Sequence, residues 1–375
     1  MHLPTPLSPG PEGDPLRVLC VNPSVDRPTG ALIVALHRAG VEIAVACPPQ
    51  HPHHEMLARE GIPTIDIRTR RDIDRAAIRA LREELIRGRY DVVHTFNSRA
   101  TSNVLFAARK LPVKIVAYRG IVGAVGFLDP VSWIRYLNPR IDRIVCVAEA
   151  VRRHFLSMRP KFLRMPPERP VTIHKGHELG WYSEEPADLR SEGIPEGAFV
   201  VCCVANYRPR KGVEVLVEAF GRLPSDVPAH LLLVGHMDAR RLRRRISASP
   251  ARERIHRLGF RSDARSLAAA SDVFCLPSLR REGLARALIE AMVYRVPPIV
   301  TDAGGSPELV VNGECGIVVP PNDPRAIADA IERLYRDAKW RRRLGEAART
   351  RIATRFRHAD TVDETLALYR RLARA

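Results

Sequence analysis

Residues 17–47 read RVLCVNPSVDRPTGALIVALHRAGVEIAVAC. A β-branched apolar run, RVLCVN, is followed by a helical pattern from about Gly30 to Arg38 and then by a second apolar run, VEIAVAC. Two strands separated by a helix cannot pair through a tight turn, so the unit predicts parallel strands joined by a right-handed crossover. Working outward, the rhythm persists: TIDIR, a helix over Ile73–Arg87, DVVHTF, KIVAY, RIVCVA and VTIHK. This predicts a first doubly wound α/β domain over residues 16–176.

Between about Gly176 and Gly197 the pattern breaks into glycine, proline and acidic residues with no apolar period, and residues 177–197 read as a linker and hinge. A second alternating series occupies 198–358: VVCCVAN, a helix over Gly212–Arg222, HLLLVG, an Arg-rich helix, RLGF, VFCLPS, a helix over Leu284–Tyr294, PPIVT and GIVV. A helix follows with Asp323 at its N-cap and Pro324 in its first position, where a missing N–H costs nothing. In 359–375, Val362, Leu366, Tyr369 and Leu372 share one helical face, so a terminal helix is expected to dock back. Five prolines in residues 1–15 predict a loose N-terminal tail. The expected fold class is therefore α/β, with two Rossmann-like doubly wound domains facing across a cleft.

Composition sets the outer limits. The chain has 375 residues, 45% apolar and 27% charged, the balance of a globular protein with two cores. Seven cysteines lie mostly inside apolar runs without C-x-x-C or metal spacing, which predicts buried thiols in a reducing compartment. No basic-then-apolar leader and no apolar run long enough to span a bilayer is visible, so the expected location is cytoplasmic, with peripheral contact on the inner membrane face left open. The formal charge of +18 favours polyanionic partners. Only six of the sixty basic residues are lysine, an imbalance that nucleotide bias explains as well as selection does.

Ligands of open α/β sheets sit beyond the carboxyl ends of the strands, so polar residues at those ends decide the chemistry. The most informative segment is REGLARALIEAM, Arg281–Met292, after a strand and opening a helix. Glu282 and Glu290 stand eight positions apart, which in a continuous helix is a rise of ~12 Å, enough to touch two parts of an extended ligand. The intervening helix N-terminus suits a phosphate. Downstream lies DAGGSPELV, with Gly304 and Gly305 where backbone can approach a ligand, and upstream ANYRPRKG places Arg208 and Lys211 before a helix.

Together these segments resemble the donor domain of family 4 glycosyltransferases, retaining enzymes of the GT-B architecture, over about Val200–Arg336. The resemblance implies that Glu282 lies near the transferred sugar, Glu290 on the ribose and Lys211 on the diphosphate. It also assigns donor contacts to Gly283, Leu284, Gly304, Gly305 and Glu308. Two places depart from the family pattern. Asn206 stands where relatives carry arginine, with Arg208 the nearest cation, and Arg119 stands where many relatives keep a histidine near the reacting sugar.

On the expected acceptor side, His94 ends a strand, and as a lone histidine it reads as structural or acceptor-contacting rather than catalytic. Gly120, Gly123 and Gly126 fit either a turn or an acceptor loop. Asp72-Ile73-Asp74 is formally D-x-D but sits at a helix start, where acidic caps are common.

The family mechanism implies sugar transfer from a UDP or GDP sugar to a glycan or lipid-linked acceptor with retention, in polysaccharide or glycolipid synthesis. The leaving diphosphate would be stabilised by Lys211, Arg208 and the helix N-terminus, with no metal or other cofactor. Competing readings are a nucleotide-sugar epimerase or phosphorylase on the same fold, and a non-catalytic protein binding nucleic acid or anionic membrane through Arg240–Arg245. The missing aromatic interleaving argues against nucleic acid.

Overall fold

A computed structural model describes residues 15–22, 25–49, 54–158, 160 and 162–375. The N-terminal tail expected over 1–15 lies almost wholly outside the described residues.

The strands are β1 (Arg17–Val21), β2 (Glu42–Ala46), β3 (Thr64–Ile65), β4 (Val92–Thr95), β5 (Lys114–Arg119), β6 (Arg143–Cys146) and β7 (Pro170–Thr172), then β8 (Phe199–Val204), β9 (Ala229–Val234), β10 (Ile255–Gly259), β11 (Val273–Leu276), β12 (Pro298–Thr301) and β13 (Ile317–Val319). They form a seven-stranded sheet in the order β3-β2-β1-β4-β5-β6-β7 and a six-stranded sheet in the order β10-β9-β8-β11-β12-β13. The described pairings are parallel, as the alternation predicts. In each sheet the order reverses once, between β1 and β4 and between β8 and β11, and such a switch point opens a crevice at the strands' carboxyl ends.

Local chemistry accounts for the helix starts. Asp26 caps helix Arg27–Arg38 by accepting from Thr29 N–H, so that helix begins three residues before the expected Gly30, with Pro28 accommodated in its first turn. Asp74 caps Arg75–Gly88. Asp323 caps Pro324–Arg336, accepting from Ala326 N–H at 2.9 Å with Pro324 in the first turn, as the sequence predicts.

Each face of the second sheet carries its own core. Val201, Cys203, Leu231, Leu233 and Cys275 pack under helices Val213–Phe220 and Pro324–Arg336 on one side. Cys202, Leu232, Phe274 and Val300 pack under helix Arg286–Val293 on the other. All seven cysteines are buried, and burial pushes the thiols of Cys20 and Cys203 up to about 12.

Contacts gather the chain into two compact units, one of Met1–Tyr118, Leu128–Ile144 and Val362–Ala375, the other of Arg119–Phe127 and Val145–Thr361. Residues 145–176, expected with the N-terminal domain, thus fall in the second unit. The last turns of helix His358–Ala373 fall in the first unit, where Tyr369 is fully buried.

The expected linker is packed rather than open. Leu179, Tyr182, Ala187 and Leu189 lie against the second unit's core, Ala187 N–H bonds Ser266 O at 3.0 Å, and Glu192 pairs with Arg261 at 2.7 Å. Its apolar residues have no helical or strand period because they anchor two short 3-10 turns, Leu179–Trp181 and Leu189–Glu192.

Candidate functional site

At the switch point of the second sheet, β8 leads through a 3-10 turn, Pro209–Lys211, and β11 leads into the loop that carries Ser278 and Glu282. Lys211 Nζ donates to both carboxylate oxygens of Glu282, at 3.0 and 2.8 Å, and Ser278 Oγ donates to Oε2 at 2.6 Å. Both charged side chains are largely buried, so each needs the other to offset its lost hydration. Gly212 makes this approach possible. It has φ +66°, and a Cβ there would lie 2.0 Å from Pro277 O.

The E-x7-E segment is not one helix. Glu282 stands in the loop, and the helix runs only over Arg286–Val293, with Ala285 as an N-cap that supplies no side-chain bond. The chain reaches that loop through Arg281 at φ +63°, a left-handed conformation disfavoured for a side-chain-bearing residue. Glu290 lies on the helix, largely buried, with Arg286 Nε 3.5 Å away. Burial raises its pKa, the charges of Arg286 and Arg265 oppose that shift, and Glu184 adds to it.

Gly304 and Gly305 serve the protein's own backbone. A Cβ on Gly304, at φ +63°, would lie 2.1 Å from Glu282 O, and Gly305 N–H bonds that same carbonyl at 3.1 Å. The glycines, expected where backbone approaches a ligand, also pack on the protein's own backbone, and Gly305 N–H is spent on holding the Glu282 loop. Gly283 is also close-packed, its α-carbon facing Gly120 O, with Leu284 beside it half-buried. Gly120 therefore meets the Glu282 loop through its main chain.

Glu308 also differs from the expected donor contact. Its carboxylate accepts from the N–H groups of Glu149 at 2.8 Å and Ala150 at 2.7 Å and from His174 Nε2 at 3.0 Å, capping helix Glu149–Leu156. Burial works against its ionisation, but the bonds from His174, Ala150 and Glu149 outweigh that and hold its pKa below the usual value. No local pattern ties residue 308 to residue 149; only the tertiary fold joins them.

Asn206, at the place of the family arginine, accepts from His236 N–H at 3.2 Å and ties the loop after β8 to the loop after β9. Arg208 is exposed, and among the described residues no carboxylate lies within ion-pair distance of it.

Arg119 is buried, and its guanidinium donates to Ile121 O at 3.1 Å and to Gly123 O. Expected as an acceptor-side group, it builds its own loop instead. His94 is likewise sealed. It is 2% exposed, shares a 2.6 Å hydrogen bond with the Tyr369 hydroxyl through Nδ1, and stacks on Phe96 at 4.3 Å. Burial lowers its pKa to about 3, so the ring is neutral. The expected cleft-facing position is corrected to a core position, because the terminal helix covers the end of β4.

Asp74 is spent as a helix cap and Asp72 pairs with Arg135 at 2.7 Å, which accounts for the D-x-D. Among the described residues no cluster of three or more metal-ligating side chains occurs, and no helix is long and apolar enough to cross a membrane. In the basic helix Arg240–Ser247, Arg241, Arg243 and Arg245 pair with Glu214, Asp238 and Glu218, which leaves less free charge than the sequence suggests.

Two parallel sheets, each with a switch point, and a buried Lys-Glu pair beside an uncapped helix N-terminus define the class as a Rossmann-like α/β protein of the GT-B fold. Residues 184–351 match the model of glycosyl transferases group 1, and residues 29–180 match that of glycosyltransferase family 4. The chain belongs to the family 4 glycosyltransferases.

It is 30% identical over 194 residues to N-acetyl-alpha-D-glucosaminyl L-malate synthase of Bacillus anthracis, a match spanning 51% of each chain, so it covers about half the length of that relative. It is 27% identical to phosphatidyl-myo-inositol mannosyltransferase of Mycobacterium leprae, over 78% of this chain and 76% of that one. Its fold matches Anabaena HepE in complex with UDP-glucose with a TM-score of 0.74 at 19% identity, covering 94% of this chain and 98% of that one.

Proposed function

We propose that this protein transfers a sugar, with retention of configuration, from a UDP or GDP sugar to a hydroxyl of a glycan or lipid-linked acceptor in envelope polysaccharide or glycolipid synthesis. The observation that carries the reading is the Lys211-Glu282 pair at the β8/β11 switch point, held by Ser278 and adjoining an uncapped helix N-terminus. A buried ion pair is an expensive arrangement where an apolar pair would pack, and it makes chemical sense where a ligand divides the two charges.

In this reading Lys211 turns its ammonium to the donor diphosphate. Glu282 is then released to accept from sugar hydroxyls, and Ser278 keeps the carboxylate oriented. As the glycosidic bond breaks, negative charge grows on the leaving diphosphate, where Lys211, the exposed guanidinium of Arg208 and the N–H groups opening helix Arg286–Val293 stabilise it. Glu290 accepts from the ribose hydroxyls. The acceptor hydroxyl attacks on the face the diphosphate leaves and passes its proton to a departing phosphate oxygen, so no side-chain base and no divalent metal is required. The UDP-glucose bound by HepE supports a nucleoside diphosphate sugar as donor, and the mannosyltransferase name of the Mycobacterium leprae relative supports sugar transfer.

Thermal unfolding with UDP, GDP, ADP and their sugar conjugates tests this. A ligand at 100 times its Kd stabilises by ~2.7 kcal/mol, and that gain is expected for one base and lost in Lys211→Ala. Absence of any nucleotide response in the wild type overturns the reading. Proton NMR of the product's anomeric centre then decides retention.

A further inference from the structure

A polar cavity lies elsewhere in the same unit. It is open, about 480 Å³, and lined by His174, Glu308, Arg351, Arg355 and Phe356. Its single carboxylate is already satisfied, since Glu308 accepts from two main-chain N–H groups and from His174. Its two guanidinium groups are not. Arg351 is immobilised by bonds from Nε to Leu309 O at 2.8 Å and from Nη2 to Glu308 O at 2.7 Å, and among the described residues its Nη1 has no partner.

Arg355 is exposed at the end of helix Ala338–Arg355, and among the described residues no carboxylate lies within ion-pair distance of it. His174, 38% exposed, spends Nε2 on Glu308 and sets its ring against Phe356 at 5.2 Å. With Glu308 ionised, the two arginines leave the cavity with a net positive charge, and one of them is held rigid by the backbone. Planar guanidinium forks with unspent donors match a tetrahedral oxyanion.

We propose that this cavity binds a phosphate group, free or as a monoester, at a site separate from the Lys211 pair. Arg351 and Arg355 supply the charge-assisted bonds and His174 completes the wall. Because Arg351 also holds the carbonyls of Glu308 and Leu309, an anion seated there bears on the loop that runs back to Gly304 and Gly305. The site is thus placed to regulate the Glu282 loop. The inference does not depend on the donor reading, since none of its residues belongs to the Lys211 site.

Isothermal titration of the full chain with inorganic phosphate, at constant ionic strength, tests it on wild type, Arg355→Glu, Arg355→Gln and Lys211→Ala. Arg355→Glu is expected to weaken phosphate binding at least ~10-fold and Arg355→Gln by less, while Lys211→Ala leaves it in place. Arg355 is exposed, so both variants are expected to fold, and an unchanged unfolding midpoint confirms it. Glycerol 3-phosphate distinguishes the sources: tighter binding than phosphate indicates a monoester ligand, equal binding the free anion. No phosphate heat in wild type up to ~10 mM overturns the proposal, as does binding that ignores Arg355 or vanishes only with Lys211→Ala. A nucleotide response that fails while phosphate binding survives sinks the donor reading alone.

Discussion

The two switch points share a topology and differ in what fills them. Around β1 and β4 the polar residues are shut in: Asn22 is 4% exposed, His94 is 2% exposed, and Tyr369 lies against His94. Around β8 and β11 the corresponding loops bring a lysine and a glutamate together. A parallel sheet therefore supplies a crevice only in principle. Whether it becomes a site depends on which side chains follow the strands and on what covers them. One switch point has been converted to core by a terminal helix, and the other retains paired charges.

The strongest test of this contrast removes the close packing behind the charged pair. Gly304→Val places a branched side chain at φ +63° against Glu282 O and is expected to cost ~3 kcal/mol or more, read by urea unfolding. An unchanged midpoint would show that the loops are not interlocked. Next, Lys211→Ala leaves Glu282 buried without its cation and is expected to cost ~2–3 kcal/mol, partly recovered by Glu282→Gln in the double variant. Simple additivity of the two substitutions would mean that the pair is not coupled.

The sealed switch point has its own signature. His94 has a folded pKa depressed to about 3, below its unfolded value near 6.5, so its contribution to stability is complete above pH ~6.5 and declines as pH falls toward 3. At pH 5 the expected loss is ~2 kcal/mol relative to pH 7.5, and His94→Gln should remove that component of the pH slope. A wild-type slope indistinguishable from that of the variant would mean that the ring is solvated. The smallest effect is expected at Asp72→Ala, within ~1 kcal/mol, because Asp72 is half exposed and solvent screens its pairing with the more buried Arg135. A chelator-sensitive loss of activity in that variant would restore a metal role to the D-x-D.

Much of the fold was legible along the chain because its determinants are local. The run Arg17–Cys47 shows both strands and the helix between them. The Asp323-Pro324 start needed only a capping carboxylate and a residue that lacks an N–H, and both act within one turn. Family likeness put Lys211 on the diphosphate and Glu282 near the sugar, but their direct pairing was not legible, since seventy-one positions separate them. Where reasoning from the residues fell short, the missing information was non-local. The sequence put a helix start between Glu282 and Glu290, but not the path of the loop at Glu282, which is set by Gly304 and Gly305 from another strand's end. Glycines at 304 and 305 signalled close approach, but not that the approaching group was the protein's own carbonyl.

Glu308, Arg119 and His94 show the same limit from three sides. A glutamate, an arginine and a histidine at strand or loop ends advertise chemistry by type, and each is instead engaged by a group remote in sequence or by its own loop: two N–H groups and a histidine, two loop carbonyls, and a tyrosine hydroxyl that bonds His94 through Nδ1 alone. By itself the sequence determined the two alternating series, the helix caps, the thiols buried in strands and the residue types available at each strand end, because these follow from periodicity and from bonds closed within a turn. Only the tertiary structure decided which of those polar groups would be spent and which left paired, because the partner that satisfies a buried donor or acceptor is chosen by packing and not by position along the chain.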